Sequence, residues 1–205
     1  MVIHIRGTGG AGKSTIVREV MRRYQTKTPE FITGRRRPIG YLCEGHGRLY
    51  VPGQYETPTG GCDTIRSLGE AFDVIERAIA KGYDVLFEGI IVQDAIDRII
   101  AIGQDQRTSL LVLNMRVPIE DCIAGIQARR DAKGNDKVLD PKRTISRVRT
   151  VESGAKRIEA AGIQSRWVNR EEGLAAVIAA LGVQAVAAEP PAAVSEPEEE
   201  FRLVP

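Results

Sequence analysis

Gly7-Thr8-Gly9-Gly10-Ala11-Gly12-Lys13-Ser14 sets four glycines ahead of a lysine and a hydroxyl, and Thr15 adds a second hydroxyl. The spacing satisfies G-x-x-x-x-G-K-[ST], a phosphate-binding loop. Glycines let successive backbone N–H groups turn inward around a phosphate chain. A helix starting at Ser14 adds its own N-terminal donors and positive partial charge. In such a loop Lys13 reaches the β- and γ-phosphates, and Ser14 holds Mg²⁺. Gly7, Gly9, Gly10, Ala11, Gly12, Lys13, Ser14 and Thr15 are therefore read as binding a nucleoside triphosphate, with ATP and Mg²⁺ the expected ligands.

Three further groups of residues have types suited to the same chemistry. Val85-Leu86-Phe87-Glu88 is an apolar run ending in an acid. A carboxylate at a strand's carboxyl end sits where α/β sheets bind ligands, so Glu88 is expected near Mg²⁺ or its waters. Asp63 follows Gly60-Gly61-Cys62 and precedes the periodic run from Leu68. It suits either the N-cap of that helix or a general base on an acceptor hydroxyl. Arg129 and Arg130 prolong the stripe Ile119, Ile123, Ile126 with cations, and Lys142 and Arg143 stand in the first turn of the next helix. Cations there cost about 0.3–1 kcal/mol each unless an anion compensates. Arg129, Arg130 and Arg143 are thus read as a lid over the triphosphate. Arg35-Arg36-Arg37 is a shorter basic run, with Arg37 a candidate phosphate contact. Cys43, His46 and Cys62 lack the spacing of a zinc site.

These groups lie far apart in the chain and need a scaffold that gathers them at one edge. Val2–Ile5, Val85–Phe87, Ser109–Leu113 and Ser165–Val168 read as strands. Helical periodicity predicts Ser14–Lys27, a helix through Leu68, Phe72, Ile75 and Ile79, and a third through Ile119–Ile126. A fourth carries Ile145, Val148, Ala155 and Ile158, with Asp140 as N-cap, Pro141 at the first position and Gly162 past the end. A fifth runs from about Arg170 to Leu181. Strands alternating with helices predict an α/β protein of the P-loop NTPase fold, a parallel sheet flanked by helices. An irregular insertion with a hairpin is expected at about 35–63 and an arginine-bearing lid at about 127–147.

A chain of 205 residues fits one domain, taken as 1–184. Its net charge of +2 is uneven: residues 189–205 carry five Glu and one Arg, leaving +6 on the rest. The Pro-, Ala- and Glu-rich stretch 185–205 reads as a disordered acidic tail. No stretch is apolar for long enough to span a membrane. The chain enters its first strand directly, without a signal-peptide pattern, and three cysteines suit reduced thiols. A cytoplasmic location follows as the expectation.

The motif GTGGAGKS, the VLFEG strand and the arginine-bearing segment from Arg129 to Arg147 resemble the small P-loop kinases of the nucleotide-kinase type. More specifically, GYLCEG…LYVPGQYETPTGGCDTI is similar to the insertion of phage-encoded kinases linked to DNA base hypermodification, which include 5-hydroxymethyluracil DNA kinases. The resemblance implies transfer of a γ-phosphate from ATP to the hydroxymethyl group of a modified pyrimidine in DNA, in the host cytoplasm. On that reading Tyr55, Glu56 and Asp63 face the cleft opposite Lys13. Tyr55 stacks on the pyrimidine, Asp63 accepts the hydroxyl proton, and the basic insertion contacts DNA. Two alternatives stay open: a nucleoside or nucleoside monophosphate kinase, and a non-catalytic nucleotide switch. The sequence leaves the oligomeric state undetermined. It lacks N/T-K-x-D and L-S-G-G-Q, arguing against a GTPase and an ABC ATPase.

Overall fold

The structure, a computed structural model, describes residues 1–57, 60–135 and 139–183. Its centre is β1 (Val2–Arg6), buried along its whole length. It pairs in parallel with β5 (Asp84–Glu88) on one side and β6 (Leu110–Met115) on the other. β4 (Arg48–Pro52) is parallel to β5, and β7 (Ser165–Val168) is parallel to β6. β2 (Thr26–Glu30) and β3 (Gly40–Glu44) extend the sheet antiparallel, giving the order β2-β3-β4-β5-β1-β6-β7. The chain leaves β1 toward the β4 side and later crosses to the β6 side. The carboxyl end of β1 is therefore a topological switch point, where open α/β sheets bind ligands.

Apolar residues alternate along β1, so the two sheet faces feed separate cores. Ile3 and Ile5 pack with Ile16, Val17 and Val20 of α1 (Lys13–Met21) and with Val177 and Leu181 of α6 (Arg170–Leu181). Val2, Phe87 and Val112 pack with α2 (Leu68–Ala80), with α3 (Ile96–Gln104), and with Ile158 of α5 (Pro141–Ala160). α4 (Ile119–Asp131) buries Cys122 against the first of these cores. Among the described residues no helix is long and apolar enough to cross a membrane.

The structure differs from the sequence reading in several places. The helix read over Ser14–Lys27 stops at Met21, and Thr26–Glu30 forms β2. Thr26, Thr28 and Pro29 favour an edge strand: two are β-branched, and Pro29 has no N–H to give a further neighbour. The hairpin of the insertion is not separate, because β4 pairs with β5 through Leu49↔Asp84 and Tyr50↔Val85. Asp63 does not cap α2. It sits in its own short turn, Cys62–Thr64, and Ser67 is the cap, accepting from Glu70 N–H at 3.2 Å. Ile145 is exposed rather than core-facing. α5 begins to bury its apolar side in earnest only at Val151, Gly154 and Ala155. The acidic tail expected at 185–205 lies outside the described residues, as do 58–59 and 136–138.

Candidate active site

β1 ends at Arg6, and Gly7–Gly12 turns the chain into α1. Gly10 and Gly12 have φ of 82° and 93°, in the left-handed region that favours glycine. Gly10 is also held for lack of space: a Cβ there would lie 2.0 Å from the Cys122 carbonyl oxygen. α4 thus packs directly on the turn. Lys13 Nζ donates to the Thr8 carbonyl at 2.9 Å, across the turn's mouth, and stands 3.9 Å from Glu88 Oε2. Ser14 Oγ donates to Glu88 Oε1.

Glu88 is positioned by register, since Ile5↔Glu88 pairing puts the carboxylate level with the last residues of β1. It is 3 % exposed. Burial raises its pKa above the ordinary carboxyl value, and the nearby Asp63 carboxylate adds to this. Lys13 and the Ser14 hydroxyl pull the other way without overcoming it. The chain then turns through Gly89 and Ile90, at φ of 86° and 48°. A β-branched residue in that region is strained. His4 holds the turn: its Nε2 lies 2.9 Å from the Gly89 carbonyl, and its ring stacks on Phe87 at 4.2 Å. Burial lowers the His4 pKa to about 3. The ring is therefore neutral, and the proton must sit on Nε2, because a carbonyl only accepts.

Asp63 joins this cluster from the β4 side. A Cβ on Gly89 would meet Asp63 Oδ1 at 3.3 Å, and one on Gly61 (φ 86°) would meet Glu88 Oε1 at 2.8 Å. The Gly60-Gly61 pair thus lets this loop close on Glu88. Asp63 is exposed while Glu88 is buried, so two neighbouring carboxylates occupy opposite environments.

The structure divides the remaining acceptor-side residues. Tyr55 is buried and packs edge-on against Tyr41, at 6.3 Å between ring centroids. Its ring belongs to the core and offers no open platform for a base. Its buried hydroxyl has no hydrogen-bond partner among the described residues and feels the charges of Glu88 and Asp63. Glu56 turns away to accept from the Tyr41 hydroxyl. Arg18, one turn after Ser14, donates to the Tyr55 carbonyl at 3.1 Å and to the Thr57 carbonyl, tying this loop to α1. Tyr41, Tyr55, Glu56, Arg18 and Lys27 line a cavity of about 220 Å³ along α1.

At the end of α4, Arg129 Nε donates to the Gly125 carbonyl of its own helix at 3.0 Å. Arg130 completes the last turn of α4. Arg143 is exposed at the start of α5, where Asp140 caps the helix through Lys142 N–H at 3.0 Å. Arg37 is exposed on the β2–β3 connection. Two other arginines touch the glycine turn itself. Arg170 donates to the Gly10 and Ala11 carbonyls, each at 3.3 Å, and Arg147 Nη1 would lie 3.9 Å from a Cβ on Gly9. Sequence reasoning missed both as site residues. The available signals were the i, i+4 spacing of Arg147 from Arg143 and the position of Arg170 just beyond the carboxyl end of β7.

A lysine, a hydroxyl and a buried carboxylate meet beside a glycine turn and a helix N-terminus, at the carboxyl edge of a mostly parallel α/β sheet. That is the equipment of an enzyme handling phosphate groups. No family model matches the chain, but individual proteins do. It is 36% identical over 165 residues to a 5-hmdU DNA kinase of Pseudomonas phage PaMx11, covering 79% of this chain and 87% of that protein. It is 30% identical over 161 residues to a 5-hmdU DNA kinase of Pseudomonas phage M6, covering 72% and 82%. A 5-hmdU DNA kinase of Bacillus phage SP10 is 24% identical over 174 residues, which make up 26% of that longer protein. The chain belongs to the phage 5-hmdU DNA kinases, and it is a phosphotransferase.

Proposed function

We propose that this P-loop enzyme transfers the γ-phosphate of ATP to the hydroxymethyl group of 5-hydroxymethyluracil in DNA. The observation that carries the reading is the Lys13–Ser14–Glu88 cluster at the mouth of the Gly7–Ser14 turn, with Asp63 beside it. The Gly7–Ser14 backbone and the α1 N-terminus cradle the triphosphate, and Lys13 swings from the Thr8 carbonyl to the β- and γ-phosphates. The Ser14 hydroxyl and the Glu88 carboxylate are hard oxygen donors in contact with each other. They suit Mg²⁺, which takes one or two protein oxygens and keeps waters and phosphate oxygens. Bound there, Mg²⁺ supplies positive charge to the phosphate oxygens, and it relieves the burial penalty on Glu88.

The acceptor oxygen attacks the γ-phosphorus in line with the leaving group. The bond to the β–γ bridging oxygen breaks, ADP departs with that oxygen, and the hydroxyl proton passes to Asp63. Asp63 suits this task better than Glu88, which is buried and engaged by Ser14. A carboxylate in this role mainly orients the hydroxyl. Arg129, Arg130 and Arg143 flank the 132–140 connection and are assigned to the charge developing on the transferring group. Arg147 and Arg170 hold the turn from the outside.

The test is a panel of acceptors with γ-labelled ATP: duplex DNA containing 5-hydroxymethyluracil, the same duplex with thymine, free 5-hydroxymethyldeoxyuridine, and deoxynucleoside monophosphates. Label is expected in the first alone. Label in a free nucleoside or monophosphate would make the chain a small-molecule kinase. Label in none of the acceptors would favour a nucleotide switch.

A further inference from the structure

β4 runs parallel to β1, so β3 starts and β2 ends at the same sheet edge as the glycine turn. The β2–β3 connection, residues 31–39, therefore rises beside the candidate active site. Its foot is pinned. Ile39 N–H donates to the Glu30 carbonyl at 2.8 Å, Arg35 pairs with Glu70 of α2 at 2.6 Å, and Arg77 pairs with Glu30 at 3.1 Å. Its tip turns through Gly34, with Arg35 N–H bonded to the Ile32 carbonyl at 3.0 Å.

That tip carries what a core would normally hide. Phe31 is 55% exposed and Ile32 36%. The other exposed large apolar residues of the described chain are Met1, Val92 (50%) and Ile145 (40%). Val92 lies on the loop after β5 and Ile145 in the first turns of α5, both at the carboxyl edge of the sheet. Apart from Met1 at the terminus, every such residue is thus placed around the reaction edge. Arg36 and Arg37 are exposed directly beyond the Phe31–Gly34 tip.

We infer that the Phe31–Arg37 loop is a wedge for duplex DNA, resting on the assignment of a DNA base as the acceptor. A C5 hydroxymethyl group lies in the major groove, and bringing its oxygen in line with a γ-phosphate held in the glycine turn is easiest when its nucleotide leaves the helix. Apolar side chains inserted at a base step unstack it and fill the gap. Phe31 and Ile32 take that role. Arg36 and Arg37 hold the flanking phosphates, where neutralised charge gives affinity without sequence preference. The charge matches the occupant: Arg36 and Arg37 are exposed beside the apolar tip, while Glu30, the acid just before it, is paired with Arg77, which suits a polyanion with a base stack. Because both apolar side chains are exposed, replacing them leaves the two cores intact.

The experiment uses the full chain and a duplex with one 5-hydroxymethyluracil next to 2-aminopurine. It compares wild type with Phe31→Ala/Ile32→Ser and with Arg36→Gln/Arg37→Gln. The first variant should lose on the order of ten-fold or more in kcat/KM on the duplex, the scale of one lost base-stacking contact. On the single strand of the same sequence, which needs no unstacking, it should stay within about two-fold. The rise in 2-aminopurine fluorescence on binding should shrink with it. The second variant should weaken duplex binding and flatten its salt dependence by about two units of slope. Equal effects on duplex and single strand, or none on either, would overturn the wedge. Wild-type protein that unstacks the duplex through these residues yet transfers no phosphate would uphold the wedge and sink the kinase assignment. Duplex phosphorylation indifferent to both variants would do the reverse.

Discussion

The Ser14 hydroxyl donates to the Glu88 carboxylate, joining the first turn of α1 to the last residue of β5. Two segments 74 residues apart thereby present adjacent hard oxygens at the mouth of the glycine turn, with the Lys13 ammonium 3.9 Å from the same carboxylate. The cluster is costly for the fold and useful for phosphate chemistry, and several predictions turn on that conflict.

Glu88 should make the protein less stable as pH rises. Below about pH 4.5, its ordinary value, the carboxyl is protonated in folded and unfolded chains alike. Burial raises the folded-state pKa, so across the window above 4.5 the folded chain holds a proton that the unfolded chain has lost. Stability declines through that window and levels off above the raised value. Glu88→Gln removes the effect. Its melting temperature should exceed that of the wild type at neutral pH and converge with it in acid, while phosphoryl transfer is lost. A variant less stable at neutral pH would mean the carboxylate stabilises the fold.

Gly10→Ala should be far worse than a glycine substitution in open space. Gly82 also has positive φ, but nothing lies within 4 Å of a Cβ there. Gly82→Ala should therefore cost only the left-handed penalty of about 1–2 kcal/mol. At Gly10 the same penalty is joined by a 2.0 Å collision with the Cys122 carbonyl, which pushes α4 off the turn. Chemical denaturation of the two variants should separate them, and Gly10→Ala should also lose ATP binding in a titration.

The arginines should sort into two kinetic classes. Arg170→Ala loosens the turn proposed to hold the triphosphate, so its main effect should be a higher KM for ATP. Arg129→Ala should lower kcat instead, on the order of 10²-fold, as expected for a group acting on charge that develops in the transition state. Steady-state kinetics with saturating DNA distinguish the two. Matching kcat values for Arg129→Ala and wild type would return Arg129 to its role as a bond to Gly125.

Much of the scaffold was legible because its signals are local. Buried strands gave the apolar runs ending at Ile5 and Phe87. Asp140, Pro141 and Gly162 marked both ends of α5, and Arg170–Leu181 matched α6 to the residue. The misses were non-local. β2 hid behind the end of α1 because it has no buried apolar run, and its β-branched threonines settle as a strand only through pairing with Gly40–Glu44. α3 went unread, although two parallel strands, β5 and β6, demand a crossover between them and Ile96, Ile99 and Ile102 supply its face. At the candidate site, the glycine turn after β1 and the placement of Glu88 beside Ser14 match what the spacing predicts of their positions. The burial of Tyr55 was not legible, because an aromatic between glycines looks the same in sequence whether its ring is open or, as here, buried on Tyr41. Arg147 and Arg170 reach the turn from α5 and α6, a proximity that only the fold creates.

In the proposed mechanism Asp63 takes the hydroxyl proton, and its isosteric variant tests the account most directly. Duplex DNA containing 5-hydroxymethyluracil is incubated with ATP and either wild type or Asp63→Asn, digested to nucleosides and weighed by mass spectrometry, with ATP affinity titrated in parallel. The account predicts a phosphorylated 5-hydroxymethyldeoxyuridine from the wild type, little or none from Asp63→Asn, and equal ATP affinity for both. Unmodified nucleosides from the wild type, or full product from Asp63→Asn, would contradict it.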